Sequence, residues 1–435
     1  MKYIAPKKRR VFFSAPSDWN LIICVILLNI FGLIMIYSAS YYYAEHSLGY
    51  APNHFFKNQL YFVLGGIFLM FVVSRIGPHF YNNWFFLAAA IFMSLILIVA
   101  VAIPSISKSS HGAARWIKIG SFTLQIAEPV KLFLIVFSAC WIARIFFRTE
   151  GEKSIAYFLI FAGISLLLLF LSNNMSTALI VLLNAYLLMM INSKSMKTYV
   201  ILMILAVLAG IAAIFLLENV IPYSPEENFR FTRIRAWLHP TDPDFSADEA
   251  YQGTLALYAI ASGGFFGKGL GRSLIKFRLP EPHNDYILAI IFEELGVFGV
   301  IILTILFGYL LYRIFIVYRD SKNRFSRNIV LGVFLHLSLQ VLMNYGVTLG
   351  LLPTMGVTLT FISAGGTSVL FTFIEIGLVL ACARETAWEK AHEKALSDVS
   401  GNDPSVREML EKHDKDFFAN LRLPGIFRKY IQKGN

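Results

Sequence analysis

Apolar runs about twenty residues long recur ten times along this chain. Coiled as α-helix, a run of that length matches the hydrocarbon thickness of a bilayer, so the pattern predicts membrane-spanning helices. The expected spans are 20–40, 60–75, 84–103, 128–147, 155–171, 176–191, 200–217, 286–317, 329–349 and 367–383. Only "SNNMS" separates the fifth from the sixth, which predicts a tight helical hairpin. The eighth is longer than a bilayer requires, so its first turns project outward or lie in a protein cavity. With 57% hydrophobic and 15% charged residues, the chain is too apolar for a soluble domain of 435 residues. A membrane barrel would need short alternating strands, and the reading finds none. The expected fold class is therefore all-α, a polytopic membrane protein of about ten helices.

Basic residues set the orientation. "KKRR" (7–10), Arg75, Arg144 with Arg148, Lys194 with Lys197, and "YRDSKNRFSR" all fall on one side of a ten-span topology. That side is cytoplasmic, and both termini lie there. The net charge of +11 is thus read as a topology signal and not as a nucleic-acid surface. No cleavable signal peptide is expected, because the first apolar run is too long and lacks a small-residue cleavage site. The organisation that follows is a basic N-terminus (1–19), a membrane domain (20–383) and a cytoplasmic tail (384–435). The tail should carry surface helices around "DPSVREMLEKHDKDFFANLRL", with Asp403 as a cap. Between the seventh and eighth spans lies a large outer loop, 218–284. A smaller one, "PSISKSSHGAARWIKIGSFTLQIAE", joins the third and fourth. Cys24, Cys140 and Cys382 fall inside apolar runs, as small packing residues.

Chemistry-bearing residues cluster at the outer boundary. In "LPEPHNDYILAIIFEELG", Asp285 stands where the large loop becomes the eighth span, in reach of water yet partly dry. Such a carboxyl can act as a base. Spacing alone favours a helix cap by Asn284 or Asp285 instead. A cap does not account for Glu293 and Glu294 deeper in the helix, at least one of which must face protein or water. The preceding "SGGFFGKGLGRSLIKFRLPE" mixes five glycines with Lys268, Arg272, Lys276 and Arg278. It suits a phosphate or pyrophosphate, and equally a flexible loop on the membrane surface. Glu128 and Lys131 share one helix face after Arg115, as a buried pair or as a cationic lip for an anionic headgroup. His336, Gln340 and Asn344 repeat every fourth residue, a polar stripe for interhelical bonding or a pocket wall. Glu375 has no assignment from spacing.

Four ordered motifs resemble the SEDS family of shape, elongation, division and sporulation proteins, the FtsW/RodA/SpoVE group. They are "FGLIMIYSAS", "GAARWIKIG" with "LQIAEPVK", "ALYAIASGGFFGKGLGRSLIKFRLPEPHNDYILAIIFEELGVFG", and "QVLMNYGVTLGLLPTMGVTLTFISAGGTSVL". They cover nearly the whole membrane region. Departures are Ile126 in place of Pro, "SNNMSTA" in place of QPDxGTA, Thr360 and Ala364 in the last outer loop, and His239 in place of Asp.

The resemblance implies a peptidoglycan glycosyltransferase of the bacterial inner membrane, polymerising lipid II beside a class B penicillin-binding protein and divisome or elongasome proteins. It implies Asp285 as general base, with Arg115, Lys131, Lys268 and Arg272 toward the pyrophosphate and Glu128 orienting Lys131. Glu293, Gln340 and Asn344 complete the expected substrate-binding set. A divalent cation, Mg or Mn, is the one cofactor to consider, although no ligand cluster is legible for it. The wording "LPEPHNDYI" leans toward the FtsW-like branch. A lipid II flippase and a non-enzymatic scaffold for a cell-wall synthase stay open as alternatives.

Overall fold

The computed structural model describes residues 17–400 except 102, 104–106, 111–112, 120–121, 147–153, 173, 221–228 and 241–248. The chain runs through α1 (Trp19–Tyr42), α2 (His54–Ser74) and α3 (Trp84–Ala100) into strands β1 (Ser107–Ser110), β2 (Ala113–Ile119) and β3 (Phe122–Gln125). Then come α4 (Ala127–Trp141), α5 (Ser154–Leu171), α6 (Met175–Asn192) and α7 (Met196–Asn219). The large loop carries α8 (Phe229–Leu238) and α9 (Glu249–Gly263), followed by α10 (Ile287–Asp320), α11 (Arg324–Thr348) and α12 (Gly366–Ser400). Single π-helical segments, Tyr43–Ser47 and Ile142–Phe146, extend α1 and α4.

Eight described helices are long and apolar enough to cross a membrane. The apolar helices Trp84–Ala100 and Ile155–Leu171 are shorter and occupy the third and fifth expected positions. Of the apolar stretch in α4, 78% is buried, against 6% in α7, so α4 is a core helix while α7 faces lipid. Side chains mark the helix starts. Asp18 Oδ1 accepts from Leu21 N (3.1 Å) at α1, and its Oδ2 pairs with Arg313 of α10 at 2.7 Å. Asn174 accepts from Thr177 N (3.1 Å), which turns the short linker into the cap of α6 and closes the α5–α6 hairpin.

Two local features add to the expected all-α fold. In the loop between α3 and α4, β1, β2 and β3 form a small antiparallel three-stranded sheet in chain order. The apolar alternation of "RWIKI" is too short to stand out against the runs around it. The eighth span is not one long helix. Gly296 has φ 68° and ψ −172°, which breaks α10 into a short helix of residues 287–295 and a longer one of 297–320. Val297 N and Phe298 N bond the carbonyls of Gly264 and Phe265 across the break. A Cβ on Gly296 would stand 2.3 Å from the Phe265 oxygen, so the glycine is required both by φ and by this approach.

The chain divides into a unit Ser17–Ala383 and a second unit that includes the continuation of α12 from Arg384. "KKRR", Arg148 and the tail helices with Asp403 lie outside the described residues.

Candidate functional site

Asp285 does not cap the helix that follows it. Tyr286 occupies the cap position of α10 and no side chain bonds an end amide there. Asn284 instead donates Nδ2 to Glu281 Oε2 at 2.6 Å. The helix-cap reading is thereby corrected. The segment is held by its carbonyls. His283 O accepts from Ala364 N, Asn284 O from Ser363 Oγ, and Asp285 O from Asn344 Nδ2, each at 2.8 Å. Three successive peptides are thus fixed between α11 and the segment ahead of α12, which fixes where the Asp285 side chain starts. His283 is buried with its ring centroid 4.0 Å from that of Phe55. Burial pushes its imidazole down to about 4, so it is neutral at physiological pH.

Two arginines from different elements face Asp285. Arg115 stands on β2, whose register with β3 sets it beside the start of α4, with its carbonyl accepting from Ile126 N (3.4 Å). Arg233 stands on α8. That helix is tied down by Trp237 Nε1 donating to Gly350 O (2.8 Å) and Arg235 Nη2 donating to Leu217 O (2.8 Å). Asp285 Oδ2 and Arg115 Nη1 lie 3.3 and 3.6 Å from the point where a Cβ on Gly356 would sit. They converge above an exposed glycine.

Asp285 itself is enclosed on most sides yet still touched by solvent. Its carboxyl is pushed up to about 6, first by burial and further by the Glu281 carboxylate, while Arg115 and Arg233 pull the other way. Burial and Arg233 press the Arg115 pKa down, and Asp285 draws it up. A carboxyl with this value can take a proton, and the two guanidiniums beside it can steady a developing anion.

Other expected site residues are drawn into the scaffold. Lys131 Nζ is 3.0 Å from Glu128 and donates to Gln340 Oε1 (3.3 Å), and both ends of the ion pair are buried. Gln340 Nε2 in turn donates to the Thr358 carbonyl at 3.2 Å. Lys268 pairs with Glu293 at 2.6 Å, and Lys276 with Glu294 at 3.0 Å. Glu293 is 0% exposed and also accepts from Ser273 Oγ and from the amides of Leu274 (3.1 Å) and Ile275 (3.2 Å).

Lys131, Lys268, Glu293, Gln340 and Asn344, all in the expected substrate-binding set, thus each have a hydrogen-bonding or ion-pair partner within the fold. Two glycines of the 262–278 loop serve close backbone approach: a Cβ on Gly263 would stand 2.0 Å from Phe292 O, and one on Gly267 2.3 Å from Glu294 O. Arg272 is exposed on that loop. Glu375, left without assignment by its spacing, shares a 2.9 Å hydrogen bond with His336 Nδ1.

Arg233 and Gly356 are absent from the expected set. In the expected topology the arginines of "RFTRIRAWL" fall on the outer side, against the positive-inside bias, and that was the available signal for Arg233.

Residues 18–387 match the FtsW/RodA/SpoVE family profile described as "Cell cycle protein". A "Probable peptidoglycan glycosyltransferase FtsW" of Coxiella burnetii is 36% identical over 390 residues, covering 87% of this chain and 99% of its own. One of the same description from Halorhodospira halophila is 34% identical, covering 89% and 96%. Among solved structures, a chain from a peptidoglycan synthase complex aligns with a TM-score of 0.65 at 23% identity, over 85% of this chain and 98% of that one. The rod shape determining protein RodA of Thermus thermophilus aligns at 0.56 and 22%, over 85% and 97%. These structures share the fold.

Proposed function

We propose that this chain, which belongs to the FtsW/RodA/SpoVE family, is a peptidoglycan glycosyltransferase that polymerises lipid II for cell division or elongation. It is a multi-pass membrane protein. In the reading we favour, all ten apolar helices span the membrane, both termini are cytoplasmic, and Asp285 works at the outer face. The observation that carries the reading is the half-buried Asp285 carboxyl, raised to about 6, facing Arg115 and Arg233 over an exposed glycine.

In the reaction, the Asp285 carboxylate takes the proton of the acceptor sugar's 4-hydroxyl. The oxygen bonds to the donor's anomeric carbon from the face opposite the leaving group. The bond from that carbon to the pyrophosphate oxygen breaks, its electron pair leaves with the lipid pyrophosphate, and the configuration inverts. Arg115 and Arg233 stabilise the charge that builds on the leaving oxygen. A base with a pKa near 6 is mostly ionised at neutral pH and still basic enough to assist the attack.

Asp285 is faced by two guanidiniums, and no group of three His, Cys, Asp or Glu side chains gathers among the described residues. The partners proposed are a class B penicillin-binding protein and the divisome or elongasome around it.

A flippase would use ionisable groups along a membrane route, but Glu293, His336 and Glu375 are each bonded within the fold. A scaffold would tolerate loss of Asp285. Wild type and Asp285→Asn, each incubated with labelled lipid II and a class B partner, separate these readings. Glycan chains from wild type alone, with the variant folded and inserted, support the proposal. Equal chains from both remove Asp285 as the base, and chains from neither turn the reading to transport or scaffolding.

A further inference from the structure

The segment between α11 and α12 carries Gly356 to the mouth of the site. Its neighbours are fastened on both sides. Met355 O accepts from Ser176 Oγ (2.6 Å), and Val357 O accepts from Asn344 Nδ2 (2.7 Å). Gly356 itself is exposed, with φ +63°. Because both flanking carbonyls are tied to α6 and α11, the backbone has little room to withdraw. A Cβ built here would stand 3.3 Å from Asp285 Oδ2 and 3.6 Å from Arg115 Nη1. A hydroxyl handing its proton to Asp285 must come within about 2.6–3.2 Å of that oxygen. A methyl group at Gly356 would occupy space beside the same oxygen, on the side that faces Arg115.

We propose that Gly356 is a specificity-determining position, whose missing side chain keeps open the slot between Asp285 and Arg115 where the acceptor hydroxyl meets the donor's anomeric carbon. This rests on the transferase reading above. The slot admits a sugar ring edge with an anionic leaving group on the Arg115 side, and any side chain at 356 closes it. A methyl there also displaces water from the carboxyl, which raises the Asp285 pKa further.

Gly356→Ala and Gly49→Ala, compared in the full-length protein with its partner, separate the slot from backbone strain. Gly49 has nearly the same φ (+65°), and nothing lies within 4 Å of its Cβ position. Gly356→Ala is expected to lose at least about tenfold in kcat/KM on lipid II, since small misplacements at a reacting centre are expensive. The acid limb of its pH profile should move to higher pH. Gly49→Ala should stay within about twofold of wild type, both variants showing a similar small drop in melting temperature.

Wild-type rate and acid limb in Gly356→Ala would overturn the proposal, as would an equal loss in Gly49→Ala. If wild type makes no glycan, the transferase reading fails by itself. Retention of undecaprenyl pyrophosphate then decides the slot: weaker binding by Gly356→Ala supports it, and equal binding removes it.

Discussion

Glu294 and Asp285 sit on either side of the start of one helix and are treated in opposite ways. Glu294 is 0% exposed, 3.0 Å from Lys276, with Ser38 Oγ at 2.5 Å and Ser273 N at 3.3 Å on its oxygens. Asp285 is half-buried, its backbone carbonyl is fixed, and its carboxyl lies under the influence of two arginines beside the exposed Gly356. The first arrangement uses ionisable groups to join segments: α1, the glycine loop and the first turns of α10 meet at one neutralised cluster. The second leaves a charge under-compensated where a substrate can supply the rest. Lys131 is likewise closed on Glu128 and Gln340, inside the fold. A charge saturated within the protein has little left to offer a ligand.

The contrast predicts effects of opposite sign on stability. Asp285→Asn should cost roughly 10²–10⁴-fold in polymerisation rate, the range for a lost general base. It should also raise the melting temperature at neutral pH. The sign follows from the carboxyl's pKa lying above its ordinary value of 3.8. Between that value and about 6 the folded form holds the extra proton, so stability falls as pH rises through this window and asparagine escapes the loss.

Lys276→Met should do the reverse, leaving Glu294 buried and unpaired at about 3–5 kcal/mol, read as a large fall in melting temperature. A melting temperature unchanged by Lys276→Met would break the comparison. Arg233→Gln should lower kcat/KM by roughly tenfold to a hundredfold, with little change in stability. It should move the acid limb to higher pH, because Arg233 holds the Asp285 pKa down. Smallest of all, Ser363→Ala removes the neutral hydrogen bond to the Asn284 carbonyl and the one accepted from the Leu359 amide, and should cost about 1–3 kcal/mol of stability.

The apolar helices, and the place of Asp285 just ahead of one of them, were legible in the sequence because both depend on local pattern: apolar length, and a polar cluster at the end of a run. The i, i+4 stripe of His336, Gln340 and Asn344 was also legible: His336 bonds Glu375 of α12, while Gln340 and Asn344 bond backbone carbonyls of the segments beside α11. Pairings across the chain were not. Lys268 finds Glu293 after 25 residues and Ser38 finds Glu294 after 256, and no local period announces either. Arg233 and Gly356 escaped for the same reason, since what matters is what the fold sets opposite them. The break at Gly296 follows Glu293 and Glu294 in an otherwise apolar run, where a lone glycine does not by itself announce a positive φ.

The claim that the outer cleft works through an ionised Asp285 is tested most directly by kcat/KM for lipid II across about pH 4 to 8, in wild type and Arg115→Gln. The account predicts a wild-type acid limb centred near 6, falling tenfold per unit below it, and displaced to higher pH in Arg115→Gln as the cation that opposes protonation is lost. A limb that is absent, or that stays in place when Arg115 is removed, would contradict it.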